Sequence, residues 1–118
     1  GLRPDLAIDF HNDAGGLLHI SRPETDPDTL ARYLARMEHF EKLLRAHTWF
    51  TEGSTKSTFR NPGSFGEGLF VRYGITACIH ELNANRIAGL DDYATAANWK
   101  KYGAQLAEVF FRYFDGTE

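Results

Sequence analysis

The chain has 118 residues, of which 42% are apolar and 25% are charged, and its net charge is −3 at neutral pH. Such a length supports one domain with a modest core, so we predict a single unit over residues 1–118. The slight acidity argues against nucleic acid or an anionic membrane as a partner. No apolar run approaches the roughly 18 residues that a membrane span requires.

The first predicted element is a strand over residues 5–11, with the sequence DLAIDFH. Alternation places Leu6, Ile8 and Phe10 on one face and Ala7, Asp9 and His11 on the other. Both faces are mostly apolar, which is typical of a buried strand in a parallel sheet. Residues 12–16 read as a turn, and residues 17–20 as a short second strand.

A long helix is predicted next, from Pro27 to about His47. Asp26 can cap its first turn. Pro27 is at the first helical position, where a backbone N–H would have no hydrogen-bond partner within the helix. Apolar residues then recur at helical spacing, which predicts one buried face: Leu30, Tyr33, Leu34, Met37, Phe40, Leu43 and Leu44. Residues 51–68 follow as a long loop rich in glycine, and loops of this length often bind ligands or partners.

The second convincing strand covers residues 74–82, and a last helix is predicted from Tyr93 to about Phe114, capped by Asp91 or Asp92. The order strand, helix, loop, strand, helix favours an α/β fold. We therefore predict a three-layer arrangement, with a mostly parallel or mixed sheet flanked by helices.

Both main strands end on ionisable residues: His11 on the first, His80 and Glu81 on the second. Ligands of open α/β sheets bind outside the carboxyl ends of the strands. A histidine there can hold zinc, and a carboxylate can take a proton from water. Because successive side chains of a strand point to opposite faces, only one of His80 and Glu81 can project toward such a site. Polar strand ends without any catalytic role are the simpler interpretation, because a catalytic zinc needs three protein ligands and only His11 is evident.

Two segments resemble zinc carboxypeptidases of the carboxypeptidase A type. DLAIDFHND resembles the strand with the Asp-x-His zinc ligand, and YGITACIHELN the later strand that ends in Glu-Leu. The resemblance implies that His11 binds zinc, that Glu81 is the general base and that Asn12 lines the substrate site. Asp9 shares a face with His11, where it either orients the zinc-binding imidazole or has a buried structural role. The resemblance also implies hydrolysis of a peptide or peptide-like amide bond by a carboxypeptidase-like fold.

The resemblance covers only the C-terminal half of that family's catalytic domain. The family's His-x-x-Glu zinc pair and its Asn-Arg pair for the substrate carboxylate would lie upstream of Gly1. We therefore expect residues 1–118 to bind zinc poorly by themselves. We also expect self-association through the apolar sheet edge that the missing half would leave unpaired.

Two other interpretations stay open. The chain could be a non-catalytic or degenerate α/β module that binds a partner through the loop over residues 51–68. Less favoured is a hydrolase with Cys78 as its nucleophile, because the apolar neighbours of this cysteine favour a buried thiol that serves packing.

Overall fold

A computed structural model of the chain describes residues 1–55, 60 and 62–117. The strands in these ranges are β1 (Leu6–Asp13), β2 (Leu17–His19), β3 (Thr76–Asn83), β4 (Arg86–Ile87) and β5 (Asp92–Tyr93). The helices are α1 (Pro27–His47), α2 (Phe65–Tyr73) and α3 (Ala96–Asp115). This arrangement of helices around a mixed sheet confirms the α/β class.

The main sheet has the order β1-β3-β2. β1 runs parallel to β3, in a register that joins Leu6 to Thr76 and His11 to Glu81. β2 runs antiparallel to β3 on its other side. β3 is therefore the central strand, and the interpretation of the first strand as buried on both faces is wrong for its second half, since residues 10–13 are exposed.

The two outer edges of this sheet differ. Beyond β2, the backbone of Leu18 exchanges hydrogen bonds of 2.9 and 3.0 Å with Gly53 and Thr55. β1 has no strand on its outer side among the described residues. An exposed strand edge can pair with another chain, so self-association through β1 remains a prediction.

One face of the sheet packs against α1 and α3 and forms the hydrophobic core. Phe40 of α1 is completely buried and contacts Phe110 and Tyr113 of α3. Most buried residues of the core come from the sheet and these two helices, and Ile20 and Phe50 lie in the segments that follow β2 and α1: Leu18, Ile20, Tyr33, Met37, Phe40, Leu43, Leu44, Phe50, Cys78, Tyr102, Leu106 and Val109. Among the helices in the described ranges, none is both long and apolar enough to cross a membrane.

The helix starts follow from local capping. α1 begins as predicted, because the Asp26 side chain accepts a 2.9 Å hydrogen bond from the Thr29 backbone N–H. α3 begins at Ala96, three residues later than predicted, and its cap is Thr95 in a capping box with Asn98. Asp92 pairs in the β4–β5 hairpin instead of capping the helix.

The predicted loop over residues 51–68 is wrong at its C-terminal end, where α2 begins at Phe65. Ser64 caps this helix, and Gly74 ends it with a φ of 65° in the left-handed region. Gly66 and Gly68 lower the helix propensity of this segment, so its sequence predicts a loop. α2 packs against β3, where a Cβ at Gly66 would lie 3.5 Å from the Cys78 Cα. Residues 56–59 and 61 of the predicted loop lie outside the described residues.

Cys78 lies on β3 within the hydrophobic core and is completely buried. Burial raises the pKa of its thiol to about 12. A nucleophilic cysteine needs an accessible thiolate, so the nucleophile interpretation of Cys78 is wrong and its packing role is confirmed.

Candidate functional site

His11 and Glu81 occupy matching positions on the two parallel strands. They are register partners of β1 and β3, each in the C-terminal half of its strand. Since register partners project to the same face of a sheet and neighbouring strands lie about 4.8 Å apart, an imidazole and a carboxylate share one surface. We call this surface, with Asp9, His11, His19 and Glu81, the polar face.

Asp9 lies two residues before His11, and the two side chains meet on the polar face. The Asp9 Oδ2 atom is 2.9 Å from the His11 Nε2 atom. A carboxylate in this position orients the imidazole ring and makes its other nitrogen a better metal ligand. The contact confirms that Asp9 and His11 share a face, and it leaves Nδ1 as the nitrogen with which His11 could bind a metal. The His11 side chain is 56% exposed and therefore accessible.

His19 of β2 completes the polar face, although no local pattern in the sequence singles it out. Its Nε2 atom lies 2.9 Å from the Glu81 Oε2 atom, and both side chains are about one quarter exposed, at 21% and 24%. His19 is the register partner of Ile79, two residues before Glu81 on the same face. The contact joins the Glu81 carboxylate to β2, the strand on the opposite side of β3 from His11.

His80 lies on the opposite face of β3, as strand alternation requires. It is completely buried, and its Nε2 atom is 2.6 Å from the Tyr102 hydroxyl oxygen. Its ring also contacts Phe10 and Phe50. Burial lowers the pKa of His80 to about 4. His80 is therefore a core histidine, and Glu81 is the residue of the pair that reaches the polar face.

Asn12 does not join the polar face. It pairs with Leu82 on the face to which Phe10 and His80 belong, and it is exposed near the end of β1. The strand therefore brings together Asp9, His11 and Glu81 and directs Asn12 away from them. Its substrate-binding role remains a prediction.

The polar face fits part of a zinc site. His11 offers an exposed imidazole whose Nε2 already has a carboxylate partner, which is the usual arrangement of a metal-binding histidine. No group of three or more histidine, cysteine, aspartate or glutamate side chains that could hold a metal ion occurs within the described ranges. A catalytic zinc held through His11 would need further ligands from outside them.

The geometry places an imidazole and a carboxylate at matching register positions on one face of the sheet. Such a pair can bind a metal at one group and transfer protons at the other. In comparisons with known proteins, no family model, curated protein or solved structure matches the chain.

Proposed function

We propose that this chain forms part of a zinc-dependent hydrolase of the carboxypeptidase type, acting on a peptide or peptide-like amide bond. The observation that carries the proposal is the matching register of His11 and Glu81 on adjacent parallel strands. The finer fold assignment, a three-layer sheet of the carboxypeptidase kind, belongs to the same proposal.

In this function His11 would hold zinc through Nδ1, while Asp9 keeps its ring oriented through Nε2. Zinc, when bound, supplies Lewis acidity that polarises the scissile carbonyl. The remaining zinc ligands come from a His-x-x-Glu pair upstream of residue 1, as the family resemblance implies.

Glu81 is the general base of the proposed reaction. Its carboxylate takes a proton from the attacking water and then delivers a proton to the leaving amine, so it ends each cycle as it began. His19 contacts the Glu81 carboxylate from β2 and holds it on the polar face. Asn12 contributes to substrate binding only if the substrate extends around the end of β1.

The Asp9→Asn variant tests the metal part of this proposal. In a protein that carries this segment with the upstream ligands, we expect zinc affinity to fall by about 10- to 100-fold, because the neutral amide supports the His11 ring less well. The measurement is a competition titration with a zinc chelator, together with release of C-terminal residues from peptides. Asp28→Asn is the matched control, since Asp28 is exposed in the first turn of α1.

Equal zinc affinity of Asp9→Asn and the unchanged protein would contradict the role of the Asp9–His11 pair. A protein that binds no zinc and cleaves no peptide would instead support the non-catalytic binding module.

A further inference from the structure

A cavity lies at the end of the sheet opposite to that of His11 and Glu81. This cavity of about 390 Å³ lies beside the amino ends of β1 and β3, where Arg3, Gly74 and Thr76 contribute to its lining. Thr76 is five residues before Glu81, or about 16 Å along the strand. The cavity is therefore separate from the polar face, and a ligand bound in it would be independent of the proposed hydrolase function.

Three arginines line this cavity: Arg3, Arg32 and Arg36. Each is anchored by one hydrogen bond to an uncharged oxygen of the protein. Arg3 Nη1 donates to the Tyr73 carbonyl oxygen over 3.1 Å, and Arg36 Nη1 donates to the Thr76 hydroxyl oxygen over 3.2 Å. Arg32 Nη2 donates to a threonine hydroxyl of its own helix. A guanidinium group has five N–H donors, so each arginine keeps several for a ligand.

These arginines have no close carboxylate partner within the part of the chain that the structure describes. Within the described residues, none of the three forms an ion pair with an aspartate or a glutamate. Glu24 also lines the cavity, but its carboxylate is 2.7 Å from Arg60. Hydrogen bonds from Thr29 and, to a smaller degree, the charge of Arg32 lower the pKa of the exposed Asp26 cap.

Arg32 and Arg36 are four residues apart on α1, where like charges repel each other. An anion in the cavity would relieve this repulsion.

The rest of the lining combines polar residues with aromatic and apolar ones. Tyr33 and Phe70 line the cavity, and their ring centroids are 4.6 Å apart. The Tyr33 hydroxyl donates to the Ala77 carbonyl oxygen over 2.9 Å, which fixes the ring in place. Phe70 is half-buried. Tyr33 itself is only 1% exposed, so a ligand held here meets three cations together with the Phe70 ring and the exposed Val71 side chain.

We propose that this cavity binds a small phosphate ester with an aromatic or apolar group. Guanidinium groups bind phosphate oxygens through paired hydrogen bonds, and three cations match the double charge of a phosphate monoester better than a single carboxylate charge. The cavity has the volume of a small-molecule site. Phe70 and Val71 in its lining accommodate the organic part of the ligand.

Isothermal titration calorimetry with phenyl phosphate and with inorganic phosphate tests this site. We expect phenyl phosphate to bind more tightly than inorganic phosphate, and both to bind more weakly as salt concentration rises. The Arg32→Gln/Arg36→Gln variant should bind phenyl phosphate about 10- to 100-fold more weakly, because charge-assisted hydrogen bonds are lost. Arg3→Gln tests the same site from a different element and keeps the test independent of α1.

The matched control is Arg86→Gln, since Arg86 is exposed and its guanidinium is paired with Asp91 at 2.7 Å. This variant should bind phenyl phosphate as the unchanged chain does, and circular dichroism establishes that every variant is folded. The proposal is overturned by an unchanged chain that binds no phenyl phosphate, by arginine variants that bind it equally well, or by equal affinity for inorganic phosphate.

Discussion

Replacing Glu81 with glutamine is expected to lower kcat by roughly 100- to 10,000-fold, which is the usual contribution of a general base. The experiment uses a protein in which this segment is joined to the proposed upstream His-x-x-Glu zinc pair. Glutamine has nearly the same shape as glutamate and can still meet His19, whose Nε2 atom lies 2.9 Å from the carboxylate. It cannot accept and return a proton, so the chemical step should fail while the fold is retained.

The zinc content decides how the loss of activity is interpreted. Glu81→Gln should retain its zinc, because Glu81 is proposed as a base and His11 as the ligand. Glu108→Gln is the matched control, since Glu108 is exposed on α3 and pairs with Arg112 at 2.7 Å. Retained turnover in Glu81→Gln would remove Glu81 from the mechanism. A loss of zinc together with turnover would make Glu81 a ligand.

The second prediction concerns the stability of the fold between pH 6.5 and pH 4. Burial lowers the pKa of His80 from 6.5 to about 4. Below pH 6.5 the unfolded chain therefore binds a proton at His80 that the folded chain does not. The contribution of neutral His80 to the free energy of unfolding is therefore fully present above pH 6.5, and it is lost as the pH falls toward 4. This difference between the His80 pKa values of the unfolded and the folded chain corresponds to roughly 3 kcal/mol in the free energy of unfolding.

Urea unfolding at several values of pH between 6.5 and 4.5 measures this dependence. His80→Gln keeps a polar group near the Tyr102 hydroxyl but cannot titrate. Its stability should therefore change less with pH than that of the unchanged chain, whatever its absolute stability. Equal slopes for the two proteins would show that His80 titrates normally in the folded state.

The elements with strong local signals were predictable from the sequence. α1 has a side-chain cap at Asp26, a proline at its first position and an apolar residue every three or four positions, and it forms as expected from Pro27 to His47. α2 is not predictable in this way because two glycines weaken its pattern, and its position depends on packing against β3. Long-range packing of this kind does not produce a clear pattern in a short stretch of sequence.

The candidate site was predictable only in part for a similar reason. Alternation alone places Asp9 with His11, and it directs His80 away from Glu81. The pairing of His19 with Glu81 depends on how β2 folds back onto β3, about sixty residues later in the chain. The exposure of β1 likewise depends on strand order, which the apolar pattern of a single strand does not encode.

The most direct test of the central claim is a zinc-loaded crystal structure of a protein in which this segment is joined to the proposed upstream zinc ligands, with anomalous diffraction recorded at the zinc absorption edge. The account predicts one strong anomalous peak about 2.0 to 2.1 Å from the His11 Nδ1 atom. The Asp9 carboxylate should remain on Nε2, and the Glu81 carboxylate should face the metal without binding it. A zinc peak that has no contact with His11 would contradict the account.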